Sequence, residues 1–147
     1  MPYRSTSKLT LEHEDDATKC VDRMRPRLQK LIDEGCGADP LMWAINMSFA
    51  ELARDRGGDD GPIMKLLALF LEFNRARRDQ AQVCHRQIKC LNADLNKEGF
   101  SHDAIMWSLI GAVGNLSRGL GMPASEIEKC VGDMIRRLNA SRSSSMN

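Results

Sequence analysis

The stretch 27–57, RLQKLIDEGCGADPLMWAINMSFAELARDRG, decides the reading of this chain because it recurs without gaps at 91–121 as LNADLNKEGFSHDAIMWSLIGAVGNLSRGLG. At this offset of 64 residues nine of 31 positions are identical, including Gly35/Gly99, Asp39/Asp103, Met42/Met106, Trp43/Trp107 and Gly57/Gly121. The only two tryptophans of the chain fall on each other. Outside the window, Cys20 aligns with Cys84 and Ile63 with Ile127. Rare residue types seldom coincide so often at one offset, so the spacing predicts an internal duplication of about 64 residues. A stacked solenoid needs roughly three repeats or more. Two copies predict instead a pseudo-twofold helical bundle, a homodimer-like arrangement fused into one chain.

Working outward, each unit reads as three helices. Ala17, Cys20, Val21, Met24, Leu28, Leu31 and Ile32 follow steps of three and four residues, the period of one helical face. Ala81, Cys84, Ile88, Leu91 and Leu95 repeat it. Pro26 lies off that stripe and predicts a kink rather than a break. Gly35 and Gly99 suit left-handed C-terminal caps. The second helices carry Met42, Ile45, Phe49 and Leu52, mirrored by Met106, Leu109, Val113 and Leu116. Asp39 followed by Pro40 predicts an N-cap and first turn, whereas Ser101 and Asp103 compete for the equivalent cap.

The third helix, from Ile63, is so apolar (Leu66, Leu67, Leu69, Phe70, Leu71, Phe73) that it predicts either the centre of the assembly or a protein interface. No Gly or Pro separates Ile63 from Glu98, which leaves open one rod of about 35 residues. The polar stretch Asn74 to Gln82 is the preferred break, as an exposed turn. The domain reading is then a flexible N-terminus over 1–10, helical units at 11–78 and 79–140, and a flexible Ser-rich tail over 141–147. No segment alternates with period two, so the fold class is all-α.

Composition is that of an ordinary globular chain, with 42% hydrophobic and 28% charged residues. No apolar run approaches the ~18 residues of a membrane span. A net charge of +1 gives no global attraction to nucleic acid or an anionic membrane. Nine methionines and only 5% aromatics suit a helical core. The five cysteines form an odd, scattered set without CxxC pairing, and no apolar h-region follows Met1. Both features predict reduced thiols, a cytoplasmic location and no secretory signal.

Catalytic and metal constellations do not emerge. Histidines 13, 85 and 102 fall in different predicted elements, and Cys84, His85 and Cys90 lack the spacing of zinc ligand pairs. Cys84 sits in an apolar stripe and reads as a core thiol. No G-x-S-x-G elbow or Gly-rich phosphate loop is present. The expectation is therefore no catalytic, metal or cofactor residues.

Three functional readings follow. The leading one is a small non-enzymatic adaptor or regulator that binds another protein or a second copy of itself. Its interface candidates are Trp43, Trp107, Phe70, Phe73, Gly111 and Gly114. The two glycines sit inside a helix at a cost of about 0.5–1 kcal/mol each relative to Ala, which predicts a compensating close approach. The second reading is a nucleic-acid-binding regulator using Arg75, Arg77, Arg78, Arg86 and Lys89, a local basic cluster against the single acid Asp79. The third is a small-molecule sensor or enzyme with a pocket between the units near Trp107, Gly111 and Gly114.

Overall fold

The computed structural model describes residues 11–146, with side chains described over 15–141. The segment expected to form a flexible N-terminus, 1–10, lies outside the described residues. The elements are α1 (Leu11–Asp33), α2 (Ala38–Asp55), α3 (Gly61–Glu72), α4 (Arg75–Lys97), α5 (His102–Gly119) and α6 (Ala124–Met146). No strand occurs among the described residues, so the protein is an all-α bundle.

Helix ends follow from local chemistry. Gly35, Gly57, Gly99 and Gly121 all have positive φ, between 76° and 100°. At Gly35 the Cys36 N–H reaches back to the Leu31 carbonyl at 3.0 Å while Gly35 bonds Ile32. Gly99 repeats this through Phe100 to Leu95 at 3.1 Å. This double bond pattern satisfies carbonyls that a helix end otherwise leaves open. Helix α1 runs through Pro26 without a break. Pro26 and Asp22, whose carbonyl loses its i+4 donor, are both exposed, so water substitutes.

Two cap expectations are corrected or resolved. The α2 N-cap is Gly37, not Asp39, which lies in the first turn. Gln80 of α4 accepts from the Gly37 N–H at 3.0 Å, so a tertiary contact sets that start in place of a local one. At α5 Ser101 is the cap, accepting from Ala104 N–H at 3.1 Å. Asp103 pairs instead with Arg56 at the end of α2.

Helices α2 and α5 form the centre. Their core is wider than one stripe: Leu41, Ala44, Ile45, Phe49 and Ala50 of α2 are buried with Ile105, Met106, Leu109, Ile110 and Val113 of α5. Met42 is only partly buried. Helix α1 packs on α5 and α4 on α2, while α6 covers α5 through Met134, Ile135 and Leu138.

The chain breaks between α3 and α4, but at Phe73 and Asn74 alone. The Asn74 side chain caps α4 by accepting from Arg77 N–H at 2.9 Å. The stretch expected as an exposed turn is therefore helical from Arg75, and the 78/79 unit boundary falls inside α4. Likewise α6 continues to Met146, past the expected tail boundary. Ser141 is buried, its hydroxyl donating to Leu138 C=O at 2.8 Å, which draws the start of that tail into the bundle.

The thiol expectation is also corrected. Cys36 and Cys84 are joined as a disulfide across 48 residues, leaving Cys20, Cys90 and Cys130 free among the described residues. The same docking of the α1–α2 loop on α4 that engages Gly37 brings the two sulfurs together.

Candidate functional site

Three surfaces built by this bundle have chemistry beyond packing. The first is α3. Only Ile63 of this helix is buried, so its apolar length is not the centre of the assembly. Met64 is 62% exposed and Leu71 71%, with Leu67 and Leu69 also exposed. At 100° per residue Met64, Leu67 and Leu71 share one outward stripe. The opposite side is clamped to α2 by Trp43. That indole N–H donates to the Leu66 carbonyl at 2.7 Å, and the ring stacks on Phe70 at 5.0 Å between centroids. Trp43 is thus spent inside the molecule, and Phe70 and Phe73 are partly buried on the core. Trp107 packs partly buried on the same core.

The second is a polar cavity of about 230 Å³ between α2, α4 and the start of α5. Ser48 and Asn92 line it and are 2% and 8% exposed. Ser48 Oγ, Asn92 Oδ1 and His102 Nε2 are buried without a hydrogen-bond partner. Leaving such an atom unpaired costs about 1–3 kcal/mol, so three of them around one space need a reason. Burial, then the Arg56 guanidinium, hold the His102 imidazole below its ordinary pKa, with Asp55 and Asp103 opposing. The Leu52 backbone opposes the shift as well. Glu51 and Asp55 of α2 and Lys89 of α4 complete the lining. Glu51 Oε1 lies 2.5 Å from Nε2 of His85.

The third is an apolar groove of about 400 Å³ between α1 and α5. Met24, Leu28 and Ile32 of α1 face Ala112 and Leu116 of α5, with Leu41 between them. A pocket was expected near Trp107, Gly111 and Gly114, and none of these lines it. The two glycines also differ from expectation. A Cβ on Gly111 would meet nothing within 4 Å, and one on Gly114 would meet Val131 only at 3.7 Å. Gly111 faces water, so no neighbouring helix approaches there.

The basic cluster is brought onto one helix but not onto one face. Arg75, Arg78, Arg86 and Lys89 project from α4 within a narrow arc opposite Ala81, Cys84, Ile88 and Leu91. Arg77 points elsewhere and pairs with Asp39 at 3.6 Å. Among the described residues no group of three His, Cys, Asp or Glu is placed to hold a metal ion. Burial pushes the Cys20 and Cys130 thiols up, so neither is activated as a thiolate. No helix among the described residues is long and apolar enough to cross a membrane.

Sequence reasoning missed Met64 as an exposed residue and missed the polar cavity entirely. A signal for the cavity existed. Asn92 and Asn96 stand 64 positions from Leu28 and Ile32, polar residues where the first unit keeps its apolar stripe. No protein-family model matches the chain, and no curated protein or solved structure is significantly similar to it.

Proposed function

We propose that this chain is a non-enzymatic helical interaction module, an adaptor or regulator that docks through α3 onto a second copy of itself. The observation that carries this reading is the outward stripe Met64, Leu67 and Leu71 on a helix already clamped from behind by Trp43. Contiguous exposed apolar surface on a folded protein marks an interaction site. The only charges on α3 are Lys65, in its second turn, and Glu72, its last residue. Antiparallel pairing with a second α3 sets each lysine near the other copy's glutamate, as an isologous interface allows.

The test is hydrogen exchange of 63–73 across a protein concentration series, with sedimentation alongside. Protection that rises with concentration, and is lost in Leu67→Glu and Leu71→Glu, is expected. A monomer at every concentration, with unchanging exchange in α3, overturns the reading.

Within this proposal the chain is a tandem duplication folded about a pseudo-twofold axis, α1–α3 forming one unit and α4–α6 the other. Support comes from the exchange of first helices: α1 rests on α5, and α4, its counterpart, rests on α2. The four glycine caps stand as two pairs 64 residues apart. Ser48, Leu52, Asn92, Asn96 and Ile105 of the cavity also stand 64 positions from groove residues. A chain cut between Phe73 and Asn74 and kept reduced, so that Cys36 and Cys84 no longer tie the halves, is expected to stay together without denaturant, because each half supplies a wall of the other's core. Halves that separate and remain folded overturn this arrangement.

A further inference from the structure

Helix α4 carries its basic residues outward in a repeating pattern that the packing of the bundle does not use. Arg75, Arg86 and Lys97 stand eleven residues apart, and so do Arg78 and Lys89. Eleven residues make about three turns, so each set forms a straight row with ~16.5 Å between members. The two rows run side by side over ~33 Å of helix, roughly 60–80° apart around its axis. Arg75, Arg86, Lys89 and Lys97 are exposed and Arg78 is half-buried. Among the described residues none of the five enters an ion pair. The cations that the bundle does use are paired across to neighbouring helices. Arg77 meets Asp39 at 3.6 Å, and Arg23 and Arg27 of α1 meet Glu98 and Asp94 at 2.5 and 3.5 Å. Those last two pairs engage the acids at the C-terminal end of α4, which leaves Asp79 as the one acid of α4 on this face. Glu51 and Asp55, which share the cavity lining with Lys89, are engaged by His85 and Arg54.

We infer that this face binds the backbone of duplex DNA, with α4 lying along the major groove and one row of cations set against the phosphates of each strand. Duplex DNA carries one negative charge per ~1.7 Å of axis, and cations without partners in the protein neutralise it with release of counterions. Three of the five are guanidinium groups, whose planar fork fits phosphate oxygens in pairs. The remaining residues of the face select among polyanions. No aromatic side chain stands along or between the rows, so a single strand finds no platform for stacking its bases. No large apolar side chain stands there either, of the kind that anchors a protein partner or a membrane surface. The B-form major groove, about 12 Å wide, admits a helix, whereas that of duplex RNA is too deep and narrow. Gln82 is the only polar side chain between the rows, so the binding carries little sequence preference.

The test is fluorescence anisotropy of a labelled mixed-sequence DNA duplex of about 20 base pairs, titrated with the full chain between about 50 and 200 mM salt. Log affinity is expected to fall against log salt with a slope of about −4. Arg86→Glu combined with Lys89→Glu should weaken binding at least tenfold and flatten the slope by about 2. Arg75→Gln combined with Lys97→Gln should flatten it by a similar amount. Lys129→Glu combined with Arg136→Glu, on α6, changes net charge as much as the first pair and should leave the slope unchanged. All six positions are exposed, and far-UV circular dichroism should show the parent's helix content in each variant. No binding at the lowest salt, or an equal loss in the α6 variant, overturns the proposal. Duplex RNA, a single strand or polyglutamate bound as tightly as duplex DNA also overturns it.

Discussion

The apolar groove and the polar cavity are lined by residues that stand 64 positions apart in the sequence, yet their walls differ in kind. Leu28 and Ile32 line the groove where Asn92 and Asn96 line the cavity, 64 positions on. Ala38 answers His102, and Ala112 answers Ser48. The groove is bounded by α1, α5 and the start of α2, and the cavity by α4, α2 and the start of α5. What differs is cost. An apolar wall gains by burial, roughly 25 cal/mol per Å², whereas each orphaned buried polar atom loses about 1–3 kcal/mol. Polar residues kept beside the cavity at that cost are what set it apart from the groove.

The largest effect expected concerns a tie found on one side only. Cys36 borders the groove and is bridged to Cys84, but the positions 64 residues away are Phe100 and Cys20, which cannot form this link. Closing a loop across 48 residues stabilises by up to about 4 kcal/mol in the chain-entropy account. Urea denaturation with and without reductant is expected to show a loss of about 2–4 kcal/mol. Identical curves would remove the asymmetry.

Next in size is the exchange of wall residues on the groove side. Leu28 is 8% exposed and packs in the core cluster. Leu28→Asn removes apolar burial and introduces an amide without partners, a loss of about 3 kcal/mol. A loss under about 1 kcal/mol would mean that the groove wall is solvated and the two sites are alike.

A smaller, pH-dependent effect belongs to the cavity alone. His102 titrates below its ordinary value when folded, because of burial and then the charge of Arg56, with Asp55 and Asp103 opposing. In the unfolded chain it titrates near ~6.5, so below that pH the unfolded state binds more protons. Stability contributed by neutral His102 is full above about pH 6.5 and declines as pH falls toward the folded value. Denaturation midpoints at successive pH values should show this slope, and His102→Ala, matching Ala38, should reduce it. An unchanged slope in the variant would assign it to other groups.

The smallest effect tests the helix between the two sites. Gly111→Ala has open space for its Cβ and is expected to stabilise by about 0.5–1 kcal/mol. A destabilised variant would imply that Gly111 is closely packed after all.

Much of the architecture was legible. The Met-Trp register and the paired glycines announce six helices with common ends, and the apolar stripes name most buried residues of α1 and α4. What stayed hidden depends on contacts between distant segments. Gly37 displaces Asp39 as the α2 cap because Gln80, 43 residues away, accepts its N–H. Cys36 meets Cys84 through the same docking, and the partner that Arg77 finds in Asp39 also comes from another helix. Of the candidate sites, the apolar character of α3 was plain, but which side faces outward depends on the Trp43 bond to Leu66. The cavity draws one residue or more from each of three helices, so no local spacing reveals it.

The central claim is that the cavity keeps polar atoms against its own stability, and Asn92→Leu tests it most directly. Its unfolding free energy, measured by urea denaturation, should equal or exceed that of the parent, because the substitution replaces an orphaned acceptor with the residue type of the matching groove position. A loss comparable to that of Leu28→Asn would contradict the account and make Asn92 an ordinary structural residue.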